Sequence, residues 1–65
     1  MNEDILKGKW QEIKGRVQEK WGKLTDSDLE VIAGKRDQLL GKLQEKYGLK
    51  REEAEKELEE HLGKW

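Results

Sequence analysis

The sequence predicts an all-α domain of four short helices folded as two α-hairpins. Three observations point to it: apolar residues recur at spacings of three and four, glycine rather than proline punctuates the chain, and one glycine-framed segment occurs twice. Leu6, Trp10, Ile13, Val17, Trp21 and Leu24 form the first apolar stripe, which predicts a helix over about residues 5–21. Gly22 follows Lys20 and Trp21 at the place for a left-handed stop, a conformation glycine takes without steric cost.

Thr25 then suits an N-cap, with Asp28 three residues on as a weaker form of the capping box and Leu24 and Leu29 at the staple positions. A short second helix over about residues 26–33 follows, with Leu29, Ile32 and also Val31 turned inward and Gly34 at its end. The third helix, about residues 35–47, carries Leu39, Leu40, Leu43 and Tyr47. Gly48 stops it, and Leu49 can fold back on Leu43 in a Schellman ending. The fourth, about residues 51–62, carries Ala54, Leu58 and Leu62, a stripe that extends to Trp65, and Leu49 and Ala54 repeat the staple spacing. Residues 1–4 and 63–65 are expected to fray from a single domain that otherwise takes in the whole chain.

Residues 8–22, GKWQEIKGRVQEKWG, align with residues 34–48, GKRDQLLGKLQEKYG, at an offset of 26. Gly8, Lys9, Gly15, Gln18, Glu19, Lys20 and Gly22 recur as Gly34, Lys35, Gly41, Gln44, Glu45, Lys46 and Gly48. Each unit is too small to bury its own stripe, so two copies must cover one another. In this scheme Gly22 and Gly48 are matching hairpin stops.

Three glycines resist that explanation. On a wheel of about 100° per residue, Gly15 lies about 180° from the midpoint of Ile13 and Val17, and Gly8 and Gly41 also fall off the apolar faces. A glycine inside a helix costs about 1 kcal/mol relative to alanine. Six of the seven glycines precede a basic residue: Lys9, Arg16, Lys23, Lys35, Lys42 and Lys64. Of these, Lys9, Arg16, Lys23, Lys35 and Lys42 form a candidate basic face that could receive a phosphate backbone or an acidic partner.

The charge order along the chain offers a structural explanation of the same lysines. Residues 5–24 carry six basic and two acidic side chains, residues 25–33 are net -3, residues 34–50 net +3 and residues 51–65 net -3. A basic helix precedes an acidic one in each hairpin, as helix dipoles favour. Glu12 and Arg16, Glu19 and Lys23, Glu52 and Lys56, and Glu60 and Lys64 are spaced for helical ion pairs worth about 0.2–0.5 kcal/mol each.

Composition narrows the function. Sixty-five residues enclose no sizeable active site, and 45% charged residues with a mean hydropathy of -1.17 describe a hydrophilic, weakly stable domain of net charge -1. Cysteine is absent, so neither a disulfide framework nor a thiolate site is available, which fits a reducing cytoplasm. The acidic N-terminus lacks the basic and apolar regions of a secretory signal, and no run approaches the roughly 20 apolar residues that span a bilayer, so membrane insertion is not expected.

No catalytic, metal or cofactor residue stands out. Trp10 and Trp21 could stack on bases, but their register with Ile13 and Val17 places them in the core. His61 has Glu57 four residues before it, yet zinc wants three or four protein ligands and there is no second histidine. Ser27 is the sole serine, and the glycines lie inside helices rather than in a loop after a strand. An enzyme is not expected.

The elements KWQEIKGRVQEKWGKLTDSD, AGKRDQLLGKLQEKYG and AEKEL, within about residues 8–58, closely resemble the CsbD-like family of small bacterial stress-response proteins. Lys9 stands where an asparagine often precedes the tryptophan, and EEHLGKW is less typical of that family. The resemblance implies a compact all-α fold of two roughly orthogonal α-hairpins, similar in layout to SAM-type domains, and induction under general or nutrient stress. It implies no reaction and carries over no catalytic residue. Two functions follow as expectations: a hydrophilic protectant or weak protein-interaction module, or a small nucleic-acid binder using the basic face. A cytoplasmic monomer is expected in either case, its partner unknown.

Overall fold

The computed structural model describes residues 3–62, of which 80% are helical. Five helices follow in order: α1 Glu3–Gly8, α2 Trp10–Lys20, α3 Asp26–Ile32, α4 Arg36–Tyr47 and α5 Arg51–Leu62. Expectations that fall on Gly63, Lys64 and Trp65, including the Glu60–Lys64 pair and the extension of the last stripe, lie outside the described residues.

The expected first helix is two. Lys9, at φ -112° and ψ 16°, leaves helical geometry just after Gly8. Its amide still donates to the Ile5 carbonyl at 2.9 Å, while its own carbonyl accepts from Glu12 at 3.0 Å and Ile13 at 2.9 Å, so α2 starts afresh there. Bends of this kind gather at glycines, where the helix is weakest. Leu6 and Trp10, on opposite sides of the break, both reach the core.

The helix α3 starts as its sequence dictates. Asp28 N–H donates to Thr25 Oγ1 at 3.2 Å and Thr25 N–H donates to Asp28 Oδ2 at 2.9 Å, a reciprocal capping box. The helix ends in two successive left-handed residues, Ala33 at φ 43° and Gly34 at φ 85°. Val31, expected to turn inward, is 54% exposed. Seven residues make only two turns, and Leu29 and Ile32 already occupy the buried side.

Gly22 and Gly48 hold equivalent places in the repeat but behave differently. Gly48 takes the left-handed conformation at φ 66°, its amide donating to the Gln44 carbonyl at 3.0 Å. Gly22 does not; α2 ends through Trp21 at φ -115° and ψ 78°, and the Leu24 amide closes a turn onto the Trp21 carbonyl at 3.0 Å. The expected left-handed stop at Gly22 is therefore a plain turn. The reason is connection length. Three residues separate Trp21 from the cap Thr25, whereas Gly48 and Leu49 alone separate Tyr47 from Lys50, whose amide donates to Glu53 Oε1 at 2.9 Å as the lead-in to α5. The shorter connection reverses direction in fewer residues, which the left-handed glycine permits.

The most extensive helix contact is α4 with α5, followed by α3 with α4 and α2 with α5, and α1 lies against α2. Between them lie Leu6, Trp10, Ile13, Val17, Trp21, Leu24, Leu29, Ile32, Leu39, Leu40, Leu43, Ala54, Leu58 and Leu62, all buried, with Tyr47 and Leu49 half-buried at the margin. At about 1.5–3 kcal/mol for each large apolar side chain removed from water, this single cluster supplies the driving force for folding. Across the described helices, Gln18 Nε2 donates to Asp26 Oδ1 at 3.1 Å and Arg51 pairs with Asp37.

Candidate functional site

The side chains with chemistry gather in two places. The first joins α3 to α4. Asp28 is 7% exposed, and its Oδ2 accepts from the Thr25 amide at 2.9 Å and the Thr25 hydroxyl at 3.1 Å. From α4, Lys42 Nζ stands 3.2 Å from Asp28 Oδ1 and Lys46 Nζ 3.4 Å from Oδ2. The Thr25 amide, with Lys42, the Thr25 hydroxyl and Lys46 in support, holds the Asp28 carboxyl well below the usual carboxylate range, against the opposing effect of burial. A carboxylate so held stays charged and ties two helices together. Lys42 and Lys46 are one helical turn apart, so their shared face was visible in the sequence; which acid they meet was set by the packing of α3 on α4.

The second place lies between α2 and α5. Arg16, Glu19, Lys20 and His61 line an open groove of about 350 Å³. Beside it, Lys20, Trp21, Tyr47, Leu49 and Glu57 line a smaller hollow of about 170 Å³. The His61 ring meets the Trp21 indole edge to face, centroids 6.1 Å apart, and its Nε2 lies 3.4 Å from Glu57 Oε2. His61 and Trp21 are 40 positions apart in the sequence, and the contact of α2 with α5 brings them together.

The candidate basic face is divided. Lys42 is turned to Asp28, and Lys23 sits in the turn after α2, its amide donating to Tyr47 Oη at 3.1 Å and its ammonium 5.1 Å from the Tyr47 ring centroid. Lying beyond the helix end, Lys23 is out of helical register with Glu19. Lys56 reaches Glu60 at 4.0 Å. Lys9, Arg16 and Lys35 have exposed side chains on three different segments. Lys42 and Lys23 are thus engaged by other elements of the domain.

A Cβ added at Gly8, Gly15 or Gly41 meets nothing within 4 Å. These glycines are not close-packing points between helices. Gly34 is: a Cβ there would come 2.7 Å from the Lys7 Cα. Among the described residues, no group of three or more His, Cys, Asp and Glu side chains is placed to hold a metal ion, and no helix is long and apolar enough to cross a membrane.

Comparison with known proteins places this architecture. UPF0337 protein pc0632 of Protochlamydia amoebophila is 56% identical over 64 residues, covering 98% of this chain and 97% of that protein. UPF0337 protein PA4738 of Pseudomonas aeruginosa is 48% identical over 58 residues, 89% of each chain. UPF0337 protein YjbJ of Escherichia coli K12 is 57% identical over 58 residues, 89% of this chain and 84% of that one. No solved structure matches. The family model described as CsbD-like matches residues 4–64, from the second residue of α1 through the whole of α5, and the chain belongs to the CsbD-like family.

Proposed function

We propose that this chain is a non-enzymatic bacterial stress-response protein of the cytoplasm, a monomer that acts as a hydrophilic protectant or through weak contacts with other proteins. The observation that carries this reading is the character of the surface. Among the described residues, Val31 is the large hydrophobic side chain left exposed, while the groove at Arg16, Glu19, Lys20 and His61 is open and lined by polar and charged groups. Such a surface retains water and forms many weak, reversible ionic contacts without committing to one ligand.

The test is to dry a sensitive enzyme with this protein and with an equal mass of an unrelated small globular protein. Clearly better retention of activity with this chain is expected; equal retention overturns the protectant reading. The exposure of Lys9, Arg16 and Lys35 supports a second reading, a nucleic-acid face. Titration of duplex and single-stranded DNA at two salt concentrations tests it, because phosphate contacts release counterions; absence of binding at low salt ends it.

A further inference from the structure

The stripe of α2 has a pattern that the fold conceals. At about 100° per residue, Trp10, Ile13, Val17 and Trp21 share one direction; Lys14 lies about 55° to one side of it, and Lys20 and Arg16 about 65° and 105° to the other. Glu12, Gly15 and Glu19 occupy the opposite, exposed side. Cations therefore flank both margins of an apolar stripe that has an indole at each end, and acids are confined to the far side. In a helix lying at a lipid–water interface, marginal lysines extend to the phosphates while indoles occupy the interfacial layer.

Charge complementarity points the same way. With Lys7, Lys9 and Lys23, the segment from Ile5 to Leu24 carries net +4. The helix that covers α2 in the folded domain is α5, which holds six glutamates against Arg51 and Lys56. An acidic helix thus covers the basic segment, with Glu57 lining the same hollow as Lys20. Nothing packs against a Cβ at Gly8, Gly15 or Gly22, so Gly15, inside α2, lowers the helix propensity of the segment with no packing gain in return.

We propose that the segment from Ile5 to Leu24 binds anionic lipid surfaces as an interfacial helix when it parts from α5, which otherwise masks its apolar stripe. The segment lies along the surface and does not cross the bilayer. The proposal goes beyond the protectant reading, which needs no lipid.

The experiment uses the full chain with Trp65→Phe, so that Trp10 and Trp21 are the only indoles, and vesicles containing brominated lipid. Indole quenching is expected with mixed phosphatidylglycerol and phosphatidylcholine, with binding at least about ten-fold weaker to phosphatidylcholine alone and weaker as salt rises. Lys14→Glu with Lys20→Glu is expected to weaken binding to anionic vesicles by about ten-fold or more. Leu58→Ala, in the covering helix, should tighten binding several-fold because it makes parting easier. Absent quenching, equal quenching by both vesicles, or unchanged or weaker binding by Leu58→Ala overturns the proposal. Should the double lysine variant fail to fold, the lipid-charge comparison and Leu58→Ala still decide.

Discussion

Gly34 packs so closely on Lys7 that a Cβ at position 34 would stand 2.7 Å from the Lys7 Cα and 3.2 Å from its amide nitrogen. The turn after α3 is thereby seated on the backbone of α1, and backbone cannot swing aside as a side chain can. With φ at 85° as well, Gly34→Ala suffers both a clash and a strained backbone. A loss of about 3 kcal/mol is expected, read as a lower urea midpoint, from overpacking of 1–3 kcal/mol plus a left-handed penalty of 1–2 kcal/mol.

The opposite outcome is expected at the open glycines. Nothing lies within 4 Å of a Cβ at Gly15 or Gly41, and both are inside helices. Gly15→Ala with Gly41→Ala should stabilise the domain by about 2 kcal/mol through helix propensity. Thermal unfolding should shift upward by roughly 4–8 °C per kcal/mol for a domain of this size. A lower melting temperature would show that the space around them is filled.

Ala33 tests the same conformational argument from the other side. It ends α3 at φ 43° and ψ 36°, a region that costs a residue with a Cβ about 1–2 kcal/mol. Ala33→Gly removes that strain at the expense of more freedom in the unfolded chain, for a net gain of about 0.5 kcal/mol by chemical denaturation. Ala33→Val should destabilise.

Acid should loosen the junction of α3 and α4. The folded-state pKa of Asp28 lies below its ordinary value of 3.8, so the stability from this carboxylate is present above that value and lost as pH falls through the depressed range. Urea midpoints measured from neutral pH downward should decline below about pH 4, with Asp28→Asn less stable at neutral pH and showing a shallower acid decline. Thr25→Ala, which removes the cap hydroxyl, should cost about 1 kcal/mol.

The helices and their buried faces could be read from the sequence because periodicity and capping are local. Thr25 with Asp28, and Leu29 with Ile32, carry their instructions within a few residues. What could not be read depends on contacts between distant segments. Gly22 and Gly48 have near-identical neighbours, Lys-Trp-Gly and Lys-Tyr-Gly, yet only Gly48 is left-handed, because the distance to the next helix differs. Lys9 reads from sequence as the interior of one long helix, whereas the chain leaves helical geometry there, one residue after Gly8. The candidate basic residues were assigned by their glycine neighbours, whereas Lys42 and Lys23 take their places from Asp28 and Tyr47 on other elements.

The two-residue connection between Tyr47 and Lys50 fixes the rotational phase of α5 as well as its direction. One inserted residue would turn α5 by about 100° relative to α4, carrying Ala54, Leu58 and Leu62 out of the shared core together. The duplicated halves are therefore not interchangeable parts: an exact copy of the first connection in place of the second would leave every side chain of α5 intact and point the helix the wrong way.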